Sequence, residues 1–402
     1  MPEAAATGSI ATYREVLAAP GARRLAVASL VSKFPISMFP VSGVLLLSPR
    51  YSYAEAGTAV GAMLLANAVS SPLRGRLAAT GSGRVLRRCL AGYLVGLAGL
   101  VLAAAGRLPF GWVVLSVVTI GLCFPPVSIL LRTHWTSVDR ARGRSSANAL
   151  ESALMDVTLI TGPVLATWLS TSLFPLLPFA LIGALMAGAV VLLLTLHREP
   201  TERPGPPTGH WRAPLRSRPL RAVFGAQFLF CAALSATEVM LPVYAQLQHV
   251  ASHSGWYLAG LSVGSIVGAL GLGAHDALAR TELPGLLAVF VGGCVLLGLA
   301  MEVAPAAVLL VCPLTGLAVG STFARLFTAI GALTPPGCDS ETQGWANSMT
   351  TVGFAAGASA GASLAGAYGA GAFLLLSPVA GGTAVLFALG GTAALAQEGG
   401  AD

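Results

Sequence analysis

LAVASLVSKFPISMFPVSGVLLL, residues 25–47, decides the fold. At ~1.5 Å per residue this run is about 35 Å long as a helix, enough to cross a hydrocarbon core of about 30 Å. Lys33, the only lysine of the chain, stands in its middle. A charge at that depth costs about 3 kcal/mol on insertion scales, so it marks a functional site by default. Four other charged residues interrupt or border comparable runs: Glu151, Asp156, Glu238 and Arg325.

The rest of the chain agrees with a membrane reading. It has 402 residues, 55% hydrophobic and 10% charged, with a mean hydropathy of +0.77. A soluble domain carries about 25% charge, so this chain lacks the polar surface to cover a globule. Twelve apolar segments are expected to span: 25–47, 54–73, 88–106, 110–131, 147–169, 174–195, 222–246, 255–274, 284–301, 305–329, 345–367 and 371–394. The fold class predicted is therefore all-α membrane protein with twelve transmembrane helices. The domains expected are an N-terminal segment 1–24, a six-helix bundle 25–196, a linker 197–221, a second bundle 222–395 and a tail 396–402. Nothing at the N-terminus reads as a cleaved signal peptide.

Arginine sets the expected orientation. With the N-terminus inside, the inner loops collect Arg74, Arg76, Arg84, Arg87 and Arg88, then Arg132, Arg140, Arg142 and Arg144, then the arginines of 197–221. Only Arg50 and Arg107 fall outside, which places both termini in the cytoplasm. The formal charge of +7 is explained by this asymmetry and implies no nucleic acid. The six cysteines form no CxxC or Cys/His cluster, so neither a disulfide nor a metal is expected, and no cofactor. There is no HExxH, no GxSxG and no Walker A sequence, and the six histidines lie at loops or span ends; no catalytic residue is assigned and an enzyme is not expected.

The two halves of the chain repeat one another. Ala56-Gly57-x-x-Val60-Gly61 recurs as Ala259-Gly260-x-x-Val263-Gly264, Ala147-Asn148-Ala149-Leu150 as Ala346-Asn347-Ser348-Met349, and Ser128-x-x-x-Arg132 as Ser321-x-x-x-Arg325. Three matches in corresponding spans argue for duplication of a six-span unit, a known transporter plan.

With these features the chain resembles the major facilitator superfamily over essentially its whole length. The family's signature between spans 2 and 3, G-x-L-x-D-R-x-G-R-R, reads here from Gly75 and Arg76 to Arg84, with Ala79 where the family has its acidic residue. Gly162-Pro163 in span 5 is similar to a fragment of the family's antiporter signature, with Thr158 in place of its upstream glycine. The resemblance implies two pseudo-symmetric bundles around a central cavity, alternating access and proton-coupled efflux of a small organic molecule. An importer on the same fold, or a sensor that does not transport, are the alternatives. The partners implied are a small-molecule substrate, protons and the lipid bilayer of the cytoplasmic membrane, around a monomer.

Candidate site residues follow from depth and helical face. Ser29, Lys33 and Ser37 share one face of span 1, and Asn148, Ser152 and Asp156 one face of span 5. Lys33 and Asp156 lie at similar depth, so an ion pair between them is expected, serving either packing or proton coupling. Glu151 is rotated about 140° from Asp156 and reads as a partner of Arg132 or Arg325 at the inner mouth. The proton-coupling set is thus Asp156, Lys33 and Glu151. The substrate cavity is predicted to take Lys33, Asn148, Arg132, Gln227, Glu238, Tyr244, Arg325 and Asn347. Small-residue ladders are expected at the interface between halves: Gly57 and Gly61, Gly260, Gly264 and Gly268, Gly353, Gly357 and Gly361.

Overall fold

The structure is a computed structural model and describes residues 22–51, 53–136, 141–196, 211–250, 253–274, 282–368 and 381–388. Among these there are helices and turns and no strand. In chain order they are α1 (Ala22–Leu47), α2 (Tyr53–Ala105), α3 (Phe110–Leu122), α4 (Val127–Thr136), α5 (Ala141–Trp168), α6 (Leu177–Leu196), α7 (Arg218–Leu247), α8 (Ser254–Ala274), α9 (Leu283–Val303), α10 (Pro305–Leu333) and α11 (Asp339–Tyr368). A further helical stretch covers 381–388. Among the described residues nine candidate spans meet the length and hydropathy a bilayer requires, and α8 and α11 are further helices of 21 and 30 residues. The predicted span 371–394 lies outside the described residues except for 381–388, as do the N-terminal segment up to residue 21, most of the 197–221 linker and the tail.

Helix α2 contains two spans, Glu55–Leu77 and Gly83–Ala105. They lie side by side. A side chain at Gly121 would strike Met63, Ala66 and Asn67, and one at Gly92 would strike Cys123. End to end, residues 66 and 92 would be about 39 Å apart, so the chain reverses between the two spans. Span 4 is divided into α3 and α4 at Pro125 and Pro126, because proline lacks the N–H that would continue the ladder. The turns after spans 3 and 7 are built alike. Arg107 and His249 take left-handed φ values of 53° and 57°, and the next residue's N–H bonds back five positions, Leu108 to Ala103 O and Val250 to Ala245 O. That is the closing pattern of a helix C-terminus, here made without glycine.

Packing forms two apolar cores. One joins residues from α1 to α6, centred on Phe39, Tyr93 and Phe179; the other joins α7 to α11 and the 381–388 stretch, centred on Phe230, Phe290 and Phe323. Around both, large apolar side chains such as Val69, Val95, Leu102, Val164, Val303 and Leu310 are exposed. Such a belt is stable only against lipid. Among the described residues the halves meet through α2–α11, α4–α11, α5–α8 and α5–α10, while α1 and α7 are not a packed pair.

The glycine ladders correct an expectation. Gly264 and Gly268 of α8 abut Pro313, Gly316 and Leu317 of α10, and Gly260 faces Cys312 and Pro313. Gly353, Gly357 and Gly361 of α11 abut Phe228, Ala232 and Ala236 of α7. Both ladders therefore lock helices within the second half and do not form the interface between halves. Gly57 and Gly61 face open space. Small residues signal close approach without saying which neighbour approaches.

Candidate functional site

The site is built on α5, which touches three other helices through successive polar residues. Gly162 lets α1 in close, since a methyl there would collide with Ser37. One and a half turns towards the other end, α1 places Ser29 and Lys33 one above the other. Lys33 Nζ donates to Ser29 Oγ at 3.1 Å and forms an ion pair with Glu151 Oε1; Ser29 Oγ donates to Glu151 Oε2 at 2.5 Å. Lys33 and Glu151 are 6% and 2% exposed.

The expected Lys33–Asp156 pair is thus replaced by Lys33–Glu151, and among the described residues no ion pair joins Glu151 to Arg325; the expected partner Arg132 has its side chain outside the described ones. The reason is the direction of helical side chains. They lean towards the N-terminus of their own helix, so the ammonium of Lys33 lies about one turn nearer that end than its Cα, level with Glu151. Counting Cα depth alone put it level with Asp156.

The carboxylate of Asp156, 6% exposed, is held from the other half of the molecule: Ser265 Oγ of α8 donates to Oδ2 at 2.6 Å. Ser152, one turn before it on the same face, donates to Gly320 O of α10 at 3.4 Å. Glu238 of α7 is half-buried and lies within electrostatic reach of Asp156. Three carboxylates and one lysine therefore share the middle of the bundle, with the lysine compensating Glu151.

The seam closes tightly at the end marked by Gly75. A methyl at Gly75 would collide with Ser340 O of α11, and one at Gly344 would stand 2.6 Å from Pro72 Cα. Asn347 Nδ2 donates to Ser71 Oγ at 3.0 Å and Ser348 Oγ to Ala68 O at 2.5 Å. Arg74 is turned inward to Phe124 O and to Asn67, at 2.9 Å from its O and 2.5 Å from its Oδ1. Arg76 is half-buried and Arg84 exposed. Glu341, one residue on from Ser340, is 1% exposed, and neither of its oxygens has a hydrogen-bond partner among the described residues. Sequence reasoning missed it. In CDSETQG, residues 338–344, it reads as an ordinary acidic residue in the first turn of a helix, where the dipole favours it.

Two predicted cavity residues belong to packing instead. Tyr244 is buried with its hydroxyl on Met301 O of α9 at 3.0 Å, and Gln227 is buried with Nε2 on Thr350 Oγ1 of α11 at 2.7 Å. Both sit on α7, whose polar residues look inward towards α9 and α11 as well as towards the seam; helical period alone does not separate these faces. Asn347 serves the seam, as above, and Arg325 is half-buried on α10. The side chains of Arg132 and Asn148 lie outside the described ones. Groups of three or more metal-ligating side chains do not occur among the described residues.

The sequence profile of the major facilitator superfamily matches residues 25–358. The chain belongs to the major facilitator superfamily. Superfamily members are secondary transporters of the membrane, and the helical architecture here is theirs. Solved structures of similar fold include the human organic anion transporter MFSD10 (15% identity, TM-score 0.72, covering 93% of this chain and 99% of that one). A bacterial homologue of the iron transporter ferroportin in an outward-facing state is similar at 16% identity and TM-score 0.71, covering 92% and 99%. The E. coli fucose:proton symporter FucP is similar at 16% identity and TM-score 0.68, covering 91% and 97%. No curated protein matches the sequence.

Proposed function

We propose that this superfamily member is a proton-coupled exporter of a small amphipathic organic molecule in the cytoplasmic membrane, with both termini in the cytoplasm. Bundles 25–196 and 222–395, joined by the 197–221 linker, rock about the α5–α8 and α2–α11 seams. The Gly75 end is the cytoplasmic one, by its arginines. The contacts across that end, and the lack of close α1–α7 packing among the described residues, then correspond to an outward-facing state.

The observation that carries the reading is the hydrogen bond from Ser265 to Asp156. It joins a buried carboxylate of one half to a hydroxyl of the other, so the solvation of Asp156 changes whenever the halves separate. A proton shifts a conformational equilibrium only if it binds the two states differently, and a carboxylate so placed does that. Lys33, Glu151 and Glu238 set the field around it; Asn347 and Arg325 border the path. The cargo is organic, because the mid-bundle mixes a few carboxylates with apolar walls and lacks a ligand cluster for a bare metal ion among the described residues.

The test is flux in inverted vesicles with a pH-sensitive dye and a panel of organic anions, cations and neutral sugars. Substrate-dependent proton movement that Asp156→Asn abolishes supports the reading, and its direction separates export from import. Proton movement that persists at wild-type rate in Asp156→Asn overturns the coupling role.

A further inference from the structure

A buried carboxylate without a hydrogen-bond partner is rare in a folded protein and calls for a reason. Glu341 is that group here, and its position is specific. It lies in the first turn of α11, between Ser340, which Gly75 of α2 abuts, and Gly344, which Pro72 of α2 abuts. Thr342 Oγ1 and Gln343 Oε1 beside it are also buried without partners. This first turn is thus pressed against α2 where the two halves meet, and its polar groups have given up water without full replacement.

We propose that Glu341 is a proton-binding residue that latches the Gly75 end: protonated while that end is shut, ionised and hydrated when the halves part there. This rests on the alternating-access reading above and adds a second proton site to it, one that no contact with substrate requires.

Burial raises the Glu341 carboxyl above its ordinary range, and Asp339 raises it further; the field of its own backbone N–H, which lies outside hydrogen-bond geometry, and that of Arg76 of α2 oppose this without cancelling it. Asp339 itself is raised by burial, and so is the neighbouring Cys338 thiol, which Glu341 raises further. The other charged groups on elements packed around α11 are otherwise placed. Arg74 of α2 is turned to Asn67 and Phe124. Arg212 precedes and Arg216 ends the short turn Ala213–Arg216 before α7, Arg218 and Arg221 lie at the start of α7, Glu238 further along it, and Arg325 on α10. Arg132 of α4 has a side chain outside the described ones. The sign is then fixed. With the shut state holding the proton more tightly than the open one, shutting is most favoured in acid. It is progressively lost as pH rises from the ordinary carboxylate range through the raised value.

The experiment uses the full chain in lipid nanodiscs, without substrate. Spin labels at Leu77→Cys (Leu77 is 55% exposed) and Ala332→Cys, in a background with the native cysteines replaced by serine, report separation of the halves at the Gly75 end. Wild type is expected to lose its short-distance population as pH rises, with a midpoint above the ordinary carboxylate range. Glu341→Gln, a permanent mimic of the protonated form, is expected to keep the short distance across the whole range. Arg76→Gln is expected to move the midpoint upwards, because it removes the cation that favours ionisation. A Glu341→Gln titration that coincides with wild type overturns the proposal, as does a wild-type distance that ignores pH or a midpoint that Arg76→Gln leaves in place. Because the readout is a distance in substrate-free protein, this outcome is independent of the flux result for Asp156→Asn.

Discussion

Glu151 and Asp156 stand five residues apart on one helix and are almost equally buried, yet they are compensated in opposite ways. Glu151 is neutralised inside its own half, by Lys33 and Ser29 of α1. Asp156 receives one hydroxyl, and that hydroxyl belongs to the other half. The first arrangement survives any rigid-body motion between halves; the second does not. Burial alone thus says nothing about which acid responds to a conformational change. What decides is whether the partner moves with it.

Breaking the internal pair has the largest expected effect on stability. Lys33→Ala leaves Glu151 buried without its cation, which costs about 3–5 kcal/mol. Reduced yield and a lower thermal midpoint in detergent are expected, and the double variant Lys33→Met, Glu151→Gln is expected to recover most of the loss. A single variant as stable as wild type would make the two carboxylates alike and remove the contrast.

Asp156→Asn carries the reverse signature. Asparagine still accepts from Ser265, so the thermal midpoint is expected to stay within the spread of surface variants, while proton-linked flux falls at least tenfold (~1.4 kcal/mol in barrier terms). Ser265→Ala is milder. It leaves the Asp156 carboxylate without its donor at about 1–3 kcal/mol, and only in the conformation that brings α5 to α8. Spin-label distances between α5 and α8 should lengthen, with little change in the unfolding temperature. Smallest is Ser29→Ala. Lys33 continues to satisfy Glu151, so a loss of about 0.5–1.5 kcal/mol and no change in those distances are expected. If Ser29→Ala and Ser265→Ala shift the distances equally, the division between internal and seam-crossing partners is not the one that matters.

The same contrast shows how far the sequence carried. Lys33, Glu151, Asp156 and Glu238 were legible one by one, because an ionisable residue in an apolar run is conspicuous. Their pairing was not, since it turned on one helical turn of side-chain reach. Gln227 and Tyr244 looked like cavity residues because helical period gives a face but not the neighbour that covers it. Glu341 left no signal at all, being an acid where helices ordinarily begin.

The sequence by itself determined the membrane class, the span periodicity, the duplicated halves and the short list of residues that lipid will not tolerate. These depend on composition and on the fixed length of a bilayer crossing, which are local properties of a chain. Tertiary structure alone decided that Lys33 serves Glu151, that Asp156 reaches across to α8, and that the glycine ladders hold one half together rather than separating two. Those are distances between helices remote in sequence, and they follow from side-chain direction and packing once every helix has found its neighbours.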